Sequence, residues 1–269
     1  MRVSVRWWSG VVLAIPLVLG VPGVMQAASA PSPTTLAVIR AQQLLARLNY
    51  LPLHWKPLLN KSNQVSLSRA WSAPPHGTWI WSKQPRILRR LWAAPGISTI
   101  VTVGALMSFQ RQAGIQVTGR LNSATERALD YAWLRRRFDA HGYNYALVDE
   151  YAGSNRPETF TLWHNGRVVL RSLTNTGIAQ TPTPLGTFPV YLRYYSQTMS
   201  GTTPWGTYYH DPGVPYVNYI DGGVAVHGFY RSAYGFPQSL GCIELPIANA
   251  AIAWPYMHIG TLVTVVTNT

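Results

Sequence analysis

Cysteine and acidic residues are scarce in this chain of 269 residues. The single cysteine, Cys242, excludes an intramolecular disulfide and any metal site built from several thiolates. The chain has no HExxH, Walker loop, GxGxxG or GxSxG motif, so zinc-protease, nucleotide-binding and serine-hydrolase functions have no support. The other histidines share no ligand spacing, and we predict no metal site. Hydrophobic residues still make up 47% of the chain, which is enough for a packed core.

The positive charge is concentrated in one part of the chain. Lys and Arg number 22 against 9 Asp and Glu, which gives a formal net charge of +13. Residues 31–140 carry a net charge of +12, whereas residues 141–269 carry −1. This asymmetry predicts a polyanion-facing module joined to a second module with another task.

The first residues have the pattern of an export signal. Arg2 and Arg6 precede an uncharged apolar run from Gly10 to Met25, and small residues follow it. We predict a signal peptide over residues 1–29 and an extracytoplasmic protein. The alternative is an uncleaved anchor that tethers the protein to the membrane, although the run is short for a spanning helix.

Helical periodicity dominates residues 36–140. It predicts a helix over residues 36–48, a short helix that begins at Pro85 and ends at Pro95-Gly96, and a helix that stops at Gly114. A capping box formed by Ser123 and Glu126 predicts one more helix through Leu134. The polar stretch from Asn60 to Thr78 is predicted to be a loop.

The pattern changes to β-type alternation after Tyr143. Asn165-Gly166 lies between two β-type runs and predicts a tight hairpin. Further strands are predicted over 186–195, 223–227 and 262–266, whereas the Gly/Pro/Tyr-rich stretch from Ser196 to Asp221 is predicted to be a long loop.

A candidate nucleophile and its base lie in the last third of the chain. A free thiol is mostly protonated at neutral pH, so Cys242 needs a neighbouring base, and His227 ends an apolar strand fifteen positions earlier. Gly241 permits a tight turn whose backbone amides can face a developing oxyanion. On spacing alone, a buried inert thiol and an unrelated histidine would be the better explanation of the pair.

The surrounding residues resemble the L,D-transpeptidase (YkuD-type) catalytic domain over residues 143–267. The matching segments are His227-Gly228, Ser239 with Gly241-Cys242-Ile243, TPTPLGTFPV from Thr181 to Val190, and Gly260-Thr261-Leu262-Val263.

The resemblance implies a role for each matched position. Cys242 would be the acylated nucleophile, His227 its base, and the Gly228 carbonyl the group that fixes the imidazole tautomer. The aromatic stretch before Asp221 would form a lid over the donor pocket. The remaining candidates are the backbone of Gly241 and Leu240 for the oxyanion, and, more weakly, Ser239, Tyr216, Tyr219, Arg231 and Glu244 for substrate binding.

Two positions depart from the family pattern. Leu240 stands where His or Arg is common, and Glu244 stands where Arg or Asn is common. Glu244 would repel a substrate carboxylate unless Arg231 or another cation offsets its charge.

The helical region resembles the small three-helix peptidoglycan-binding module. The resemblance rests on Phe109-Gln110, the Gly119 turn and the Thr125/Ala128-Leu129 ending, with a long Trp-bearing insertion between the halves. It implies binding of peptidoglycan stem peptides and glycan, and the basic face fits anionic wall polymers. A spacer that binds nothing is the alternative. The arginine clusters also suit nucleic acid in principle, but export argues against that partner.

These observations predict a multidomain α+β protein, with a helical module over residues 30–140 and a mostly-β catalytic domain over residues 141–269. The resemblance implies a cofactor-independent L,D-transpeptidase that forms 3→3 cross-links between peptidoglycan stems through a cysteine thioester. The alternatives are an L,D-carboxypeptidase and a non-catalytic cell-wall-binding protein.

Overall fold

The computed structural model describes residues 34–58, 66–150 and 156–267. The predicted signal peptide lies outside the described residues. Among those residues, no helix combines the length and the apolar character that crossing a bilayer requires. The described residues belong to one compact unit.

The first half of the described chain is mainly helical. Its elements are α1 (Thr35–Arg47), β1 (Leu53–Pro57), α2 (Leu67–Ala70), β2 (Gly77–Trp81), α3 (Ile87–Trp92), α4 (Ile100–Gln112) and α5 (Ser123–Leu134). The predicted helices at α1 and α4 are confirmed to within about one turn. Gly114 has a φ of +69°, the left-handed conformation that glycine adopts most easily after a helix.

Several details of this half were predicted wrongly. The stretch predicted as a loop contains α2 and the start of β2, which pairs antiparallel with β1. Helix α3 begins two residues after Pro85 and ends at Trp92, before Pro95-Gly96. The cap of α5 is Asn122, one residue before the predicted Ser123, because the Asn122 side chain accepts the Thr125 amide.

Gln110 explains why the residues around Gly119 form a fixed turn. Its side chain is fully buried. Gln110 Oε1 accepts the amides of Thr118 and Gly119 at 2.8 and 2.9 Å, while Nε2 donates to the Thr125 hydroxyl at 3.0 Å. One buried amide thus ties α4 to the turn and to α5. Binding of peptidoglycan by this region stays a prediction.

The second half is mostly β-structure. Its elements are β3 (Asn144–Glu150), β4 (Thr159–His164), β5 (Arg167–Leu173), β6 (Gly186–Pro189), β7 (Leu192–Thr202), β8 (Tyr208–Asp221), β9 (Val224–Gly228), β10 (Ile243–Leu245), α6 (Ile247–Ala253) and β11 (Leu262–Thr267). They form one sheet in the order β5-β4-β3-β11-β6 and a second in the order β10-β9-β8-β7. Phe160 and Val263 of the first sheet share a buried core with Val226 and Ile243 of the second.

The β-hairpin predictions had different outcomes. The hairpin at Asn165-Gly166 is confirmed, and both residues have positive φ as a two-residue hairpin turn requires. The run predicted over 186–195 is divided between β6 and β7. The long loop predicted from Ser196 to Asp221 is wrong, because most of it forms the antiparallel pair β7–β8.

The helical and β-rich halves share a packed boundary. Tyr145 and Leu262 of the β-rich half are buried in the hydrophobic core of the helical half. A Cβ built on Gly104 of α4 would lie 2.7 Å from the Gly260 carbonyl oxygen, and a Cβ on Gly260 would lie 2.2 Å from the Gly104 carbonyl oxygen. The backbones therefore approach closely because both residues lack a side chain. A boundary between separate domains at residue 140 stays a prediction.

Candidate active site

His227 lies near the end of β9 with only 3% of its surface exposed. Its Nδ1 lies 3.1 Å from the carbonyl oxygen of Gly228. A carbonyl can only accept a hydrogen bond, so the neutral ring carries its proton on Nδ1. The lone pair on Nε2 is therefore available to accept a proton from another group.

Cys242 precedes β10, the strand that pairs parallel with β9. In that pairing Ile243 lies opposite Val226 and Glu244 opposite His227. Because side chains alternate between the two faces of a sheet, Cys242, Glu244 and His227 share one face. Cys242 packs beside Ala225 in a small cluster on that face, whereas Val226 and Ile243 point into the main core.

The hydrogen-bond environment of the sulfur is sparse. Cys242 Sγ lies 3.8 Å from the carbonyl oxygen of Gly223. Burial raises the pKa of Cys242 to about 11, the charge of Glu244 acts in the same direction, and the backbone amide of Ala225 opposes them. Burial also lowers the pKa of His227. At neutral pH the resting site thus holds a thiol and a neutral imidazole rather than an ion pair.

Glu244 forms an ion pair with Arg231. Arg231 is the cation that the sequence analysis named as able to offset the charge of Glu244. Arg231 donates from Nε to Glu244 Oε2 and from Nη2 to Oε1, each at 2.8 Å. The Glu244 side chain is 5% exposed and that of Arg231 is 31% exposed. The guanidinium also stacks on Phe229, with Cζ 4.7 Å from the ring centre. The hydrogen bonds to Glu244 raise the pKa of Arg231.

Ser239 supports the turn before Cys242. It is 1% exposed, its hydroxyl donates to the Cys242 carbonyl at 2.6 Å, and it accepts the Gly241 amide at 3.1 Å. A substrate contact at Ser239 and an oxyanion role for the Gly241 amide stay predictions, and both groups already have a hydrogen-bond partner within the turn.

The turn still has an unusual backbone that glycine explains. Gly241 has a φ of +114°, a conformation that residues with a side chain rarely adopt, and its carbonyl accepts from Thr183 at 2.9 Å. Leu240 lies half-buried in the same turn. A backbone role for Leu240 stays a prediction.

The two predicted tyrosines lie on opposite faces of the sheet. Tyr219 contacts the small cluster that contains Cys242, and its hydroxyl donates to Gln197 at 3.0 Å. Tyr216 instead packs on Tyr195 and Trp254 at the other face. Tyr216 and Tyr219 are three positions apart, so the alternation of side chains along β8 puts them on opposite faces. A substrate contact at either tyrosine stays a prediction.

Two residues near the site were not singled out from the sequence. Burial raises the pKa of Tyr209, and the proximity of Cys242 adds to that rise. Asp211 lies close enough to His227 and Arg231 to raise the pKa of both. Both residues belong to β8. The sequence of β8 is rich in Pro and Gly and was predicted to be a loop, so no sequence pattern placed these residues near Cys242.

Comparison with known proteins identifies this region. Residues 144–265 match the family model YkuD, described as the L,D-transpeptidase catalytic domain. No curated protein matches the chain by sequence.

Several solved structures are similar to part of the chain. An L,D-transpeptidase from Mycobacterium smegmatis is 26% identical over 46% of this chain and 59% of its own, with a TM-score of 0.39. The catalytic domain of the Enterococcus faecium L,D-transpeptidase acylated by ertapenem is 30% identical over 46% of this chain and 97% of its own, with a TM-score of 0.40. The chain thus spans 59% of the length of the mycobacterial enzyme.

Proposed function

We propose that this protein is an extracytoplasmic L,D-transpeptidase that joins peptidoglycan stems through a thioester on Cys242. The observation that carries the proposal is the placement of Cys242 and His227 on one face of adjacent strands, with the imidazole tautomer set by the Gly228 carbonyl. The YkuD match over residues 144–265 supports the same reaction class.

The first half-reaction transfers an acyl group to sulfur. His227 Nε2 takes the proton from Cys242 Sγ as the sulfur attacks the carbonyl of the third residue of a tetrapeptide stem. The resulting oxyanion is stabilised by the main-chain amide of Cys242. The C–N bond to the terminal D-Ala then breaks, and the imidazolium returns its proton to the departing amine.

The second half-reaction releases the acyl group. A side-chain amine of another stem attacks the thioester carbonyl, loses a proton to His227, and displaces the thiolate, which is reprotonated to the resting thiol. The product is a 3→3 cross-link. Water in place of the amine gives a tripeptide, which is L,D-carboxypeptidase activity.

The resting protonation state fits this general-base mechanism. The raised pKa of Cys242 and the lowered pKa of His227 leave both groups neutral near pH 7. The sulfur therefore loses its proton as it attacks, and the thiolate forms only when a substrate carbonyl is bound beside it. The bidentate pair of Arg231 with Glu244 removes the repulsion that an unpaired Glu244 would exert on a substrate carboxylate.

The test is mass spectrometry of muropeptides after incubation with the full-length protein. Wild type is expected to convert tetrapeptide muropeptides into cross-linked dimers, or into tripeptides where water is the acceptor. Cys242→Ala is expected to give neither product, whereas Arg171→Gln, an exposed change on β5, is expected to give both at the wild-type rate. Binding to wall sacculi without any thiol-dependent product would contradict the proposal and favour a non-catalytic wall-binding protein.

A further inference from the structure

A cavity of about 520 Å³ lies on the face of the β7–β10 sheet that points away from Cys242. Arg193 of β7 pairs with Asn218 of β8, which pairs with Val226 of β9, so Arg193 shares the face of Val226. Cys242 and His227 lie on the opposite face. The cavity is bounded by α4, by β7, and by the segment that follows α6.

Arg193 is the central cation of this cavity. Its Nε donates to Asn218 Oδ1 at 2.9 Å and its Nη2 donates to the Trp254 carbonyl at 2.6 Å. Its Cζ lies 3.8 Å from the centre of the Trp254 ring. All of these partners are neutral. Because burial is not offset by any carboxylate, the pKa of Arg193 is lowered to about 10.

Three more basic side chains line the cavity, Arg111, His141 and His258. Arg111 of α4 is exposed at the cavity wall. The rings of His141 and His258 stack with their centres 3.7 Å apart, and the Nδ1 atom of His258 lies 3.4 Å from Arg193 Nη1. Burial, together with the charges of His141 and Arg193, lowers the pKa of His258 to about 4. Within the described ranges, neither arginine forms an ion pair with Asp or Glu.

Asp139, the carboxylate next to His141, already accepts two hydrogen bonds. Asp139 Oδ1 accepts from Gln112 Nε2 at 2.7 Å and from the His141 amide at 3.0 Å. Burial raises the pKa of Asp139. Among the described residues that line the cavity there is no carboxylate, so a bound anion would offset the charges of Arg193 and Arg111.

The cavity also offers flat aromatic surfaces. The Trp254 ring packs edge-on to Tyr195, which is 66% exposed and borders the cavity together with Tyr191. A cation beside the exposed rings of Tyr191 and Tyr195 suits a sugar that carries an acidic group, because a sugar ring has polar edges and apolar faces.

We propose that this cavity binds an acidic saccharide, with its carboxylate or phosphate held by Arg193 and Arg111 and its sugar ring placed against Trp254 and Tyr195. The site is separate from Cys242 and does not depend on the proposed acyl transfer. A bound acidic glycan would contact α4 and β7 together and so would bridge the two halves of the molecule.

Three matched sugars test the proposal in NMR titrations of the full-length Cys242→Ala protein, in which catalysis has no part. N-acetylmuramic acid carries a carboxylate, N-acetylglucosamine 6-phosphate carries a phosphate, and N-acetylglucosamine carries neither. At least one acidic sugar is expected to bind about 10-fold more tightly than the neutral sugar, which is the effect of one charge-assisted contact. The sugar that binds better identifies the acidic group.

Two substitutions and one control locate the binding. Arg193→Gln keeps a donor for Asn218 and is expected to weaken acidic-sugar binding by about 10-fold, and the exposed Arg111→Gln by about 3-fold. Arg171→Gln, which removes the same charge from β5, is expected to change binding by less than about 2-fold. Because Arg111 is exposed, its variant gives a result even if Arg193→Gln does not fold. Equal binding of all three sugars, no binding of any, or unchanged binding in the Arg111 and Arg193 variants would overturn the proposal.

Discussion

The two faces of the β7–β10 sheet each have a partly buried arginine beside them, and the two arginines are in opposite electrostatic situations. Arg231, on the Cys242 side, donates two hydrogen bonds to Glu244, and these raise its pKa. Arg193, on the other side, donates only to neutral oxygens, and burial lowers its pKa to about 10.

The difference between the paired and the unpaired arginine indicates a different function for each face. On the Cys242 face the arginine is paired with a carboxylate, so the polarity that matters develops during the reaction, between sulfur, imidazole and the substrate carbonyl. On the Arg193 face a positive charge is left without a partner, which is typical of a site whose ligand supplies the opposite charge. The first face is suited to chemistry and the second to binding.

Removal of the base His227 should cause the largest loss of activity, and this loss should arise only on the Cys242 face. His227→Ala is expected to lower kcat/KM for muropeptide conversion by about 10²–10⁴, because the sulfur then lacks its proton acceptor. His210→Ala, a histidine exposed on β8, is the matched control and is expected to stay within about 3-fold of wild type. Steady-state kinetics on tetrapeptide muropeptides gives both numbers, and equal losses in the two variants would break the assignment of the base.

Breaking the ion pair should be the largest stability effect. Arg231→Gln leaves the buried Glu244 carboxylate without its cation, and we expect the free energy of unfolding to fall by about 2–4 kcal/mol. Urea denaturation at pH 7 measures this loss. The double variant Arg231→Gln with Glu244→Gln is expected to recover a large part of it. A single variant as stable as wild type would show that the pair is not a compensated buried charge.

The pH dependence of stability should report on the Arg193 face. The pKa of His258 is lowered to about 4 in the folded protein from an ordinary value near 6.5, so the unfolded chain binds more protons between these two pH values. Stability is therefore unaffected by His258 above pH 6.5 and falls as the pH drops towards 4. After allowance for its partial exposure, we expect about 1–2 kcal/mol from this residue.

Denaturation at several pH values compares wild type with His258→Gln. The variant is expected to lose less stability between pH 6.5 and pH 4. His227 also has a lowered pKa and contributes in the same direction in both proteins, so only the difference between the two curves belongs to His258. Identical curves would remove His258 from the account of the basic cavity.

Removal of the unpaired arginine should have the smallest effect on stability. Arg193→Gln loses the stacking on Trp254 but also removes an uncompensated buried charge, so we expect a change of less than about 1 kcal/mol in either direction. Urea denaturation of Arg193→Gln and Arg231→Gln under the same conditions compares the stability contributions of the two arginines directly. A loss as large as that of Arg231→Gln would mean that Arg193 is a structural residue.

The predictions that succeeded from sequence were those fixed by short-range chemistry. Asn165-Gly166 fixes its hairpin because both residues tolerate positive φ, and the apolar spacing within α1 and α4 needs no knowledge of distant contacts. The strands β7 and β8 were missed because Pro212, Gly213 and Pro215 interrupt the alternation on which strand prediction depends.

Prediction of the candidate site from sequence is limited in the same way to what short-range patterns determine. The positions of His227 and Cys242 in the motif predicted their role, and the parallel pairing of β9 with β10 places them on one face. The buried supporting role of Ser239 depends on the turn before Cys242, and the proximity of Asp211 depends on the irregular β7–β8 pairing, and both emerge only in the folded chain. One-dimensional spacing does not determine these features.

The most direct test of the account is the intact mass of the protein after exposure to ertapenem, a β-lactam whose strained carbonyl acylates a nucleophilic thiol. Acyl transfer to Cys242 with help from His227 predicts one covalent adduct in wild type, mapped to Cys242 by peptide mass spectrometry, formed much more slowly in His227→Ala and absent in Cys242→Ala. An unmodified wild-type protein, or an adduct that persists in Cys242→Ala, would contradict it.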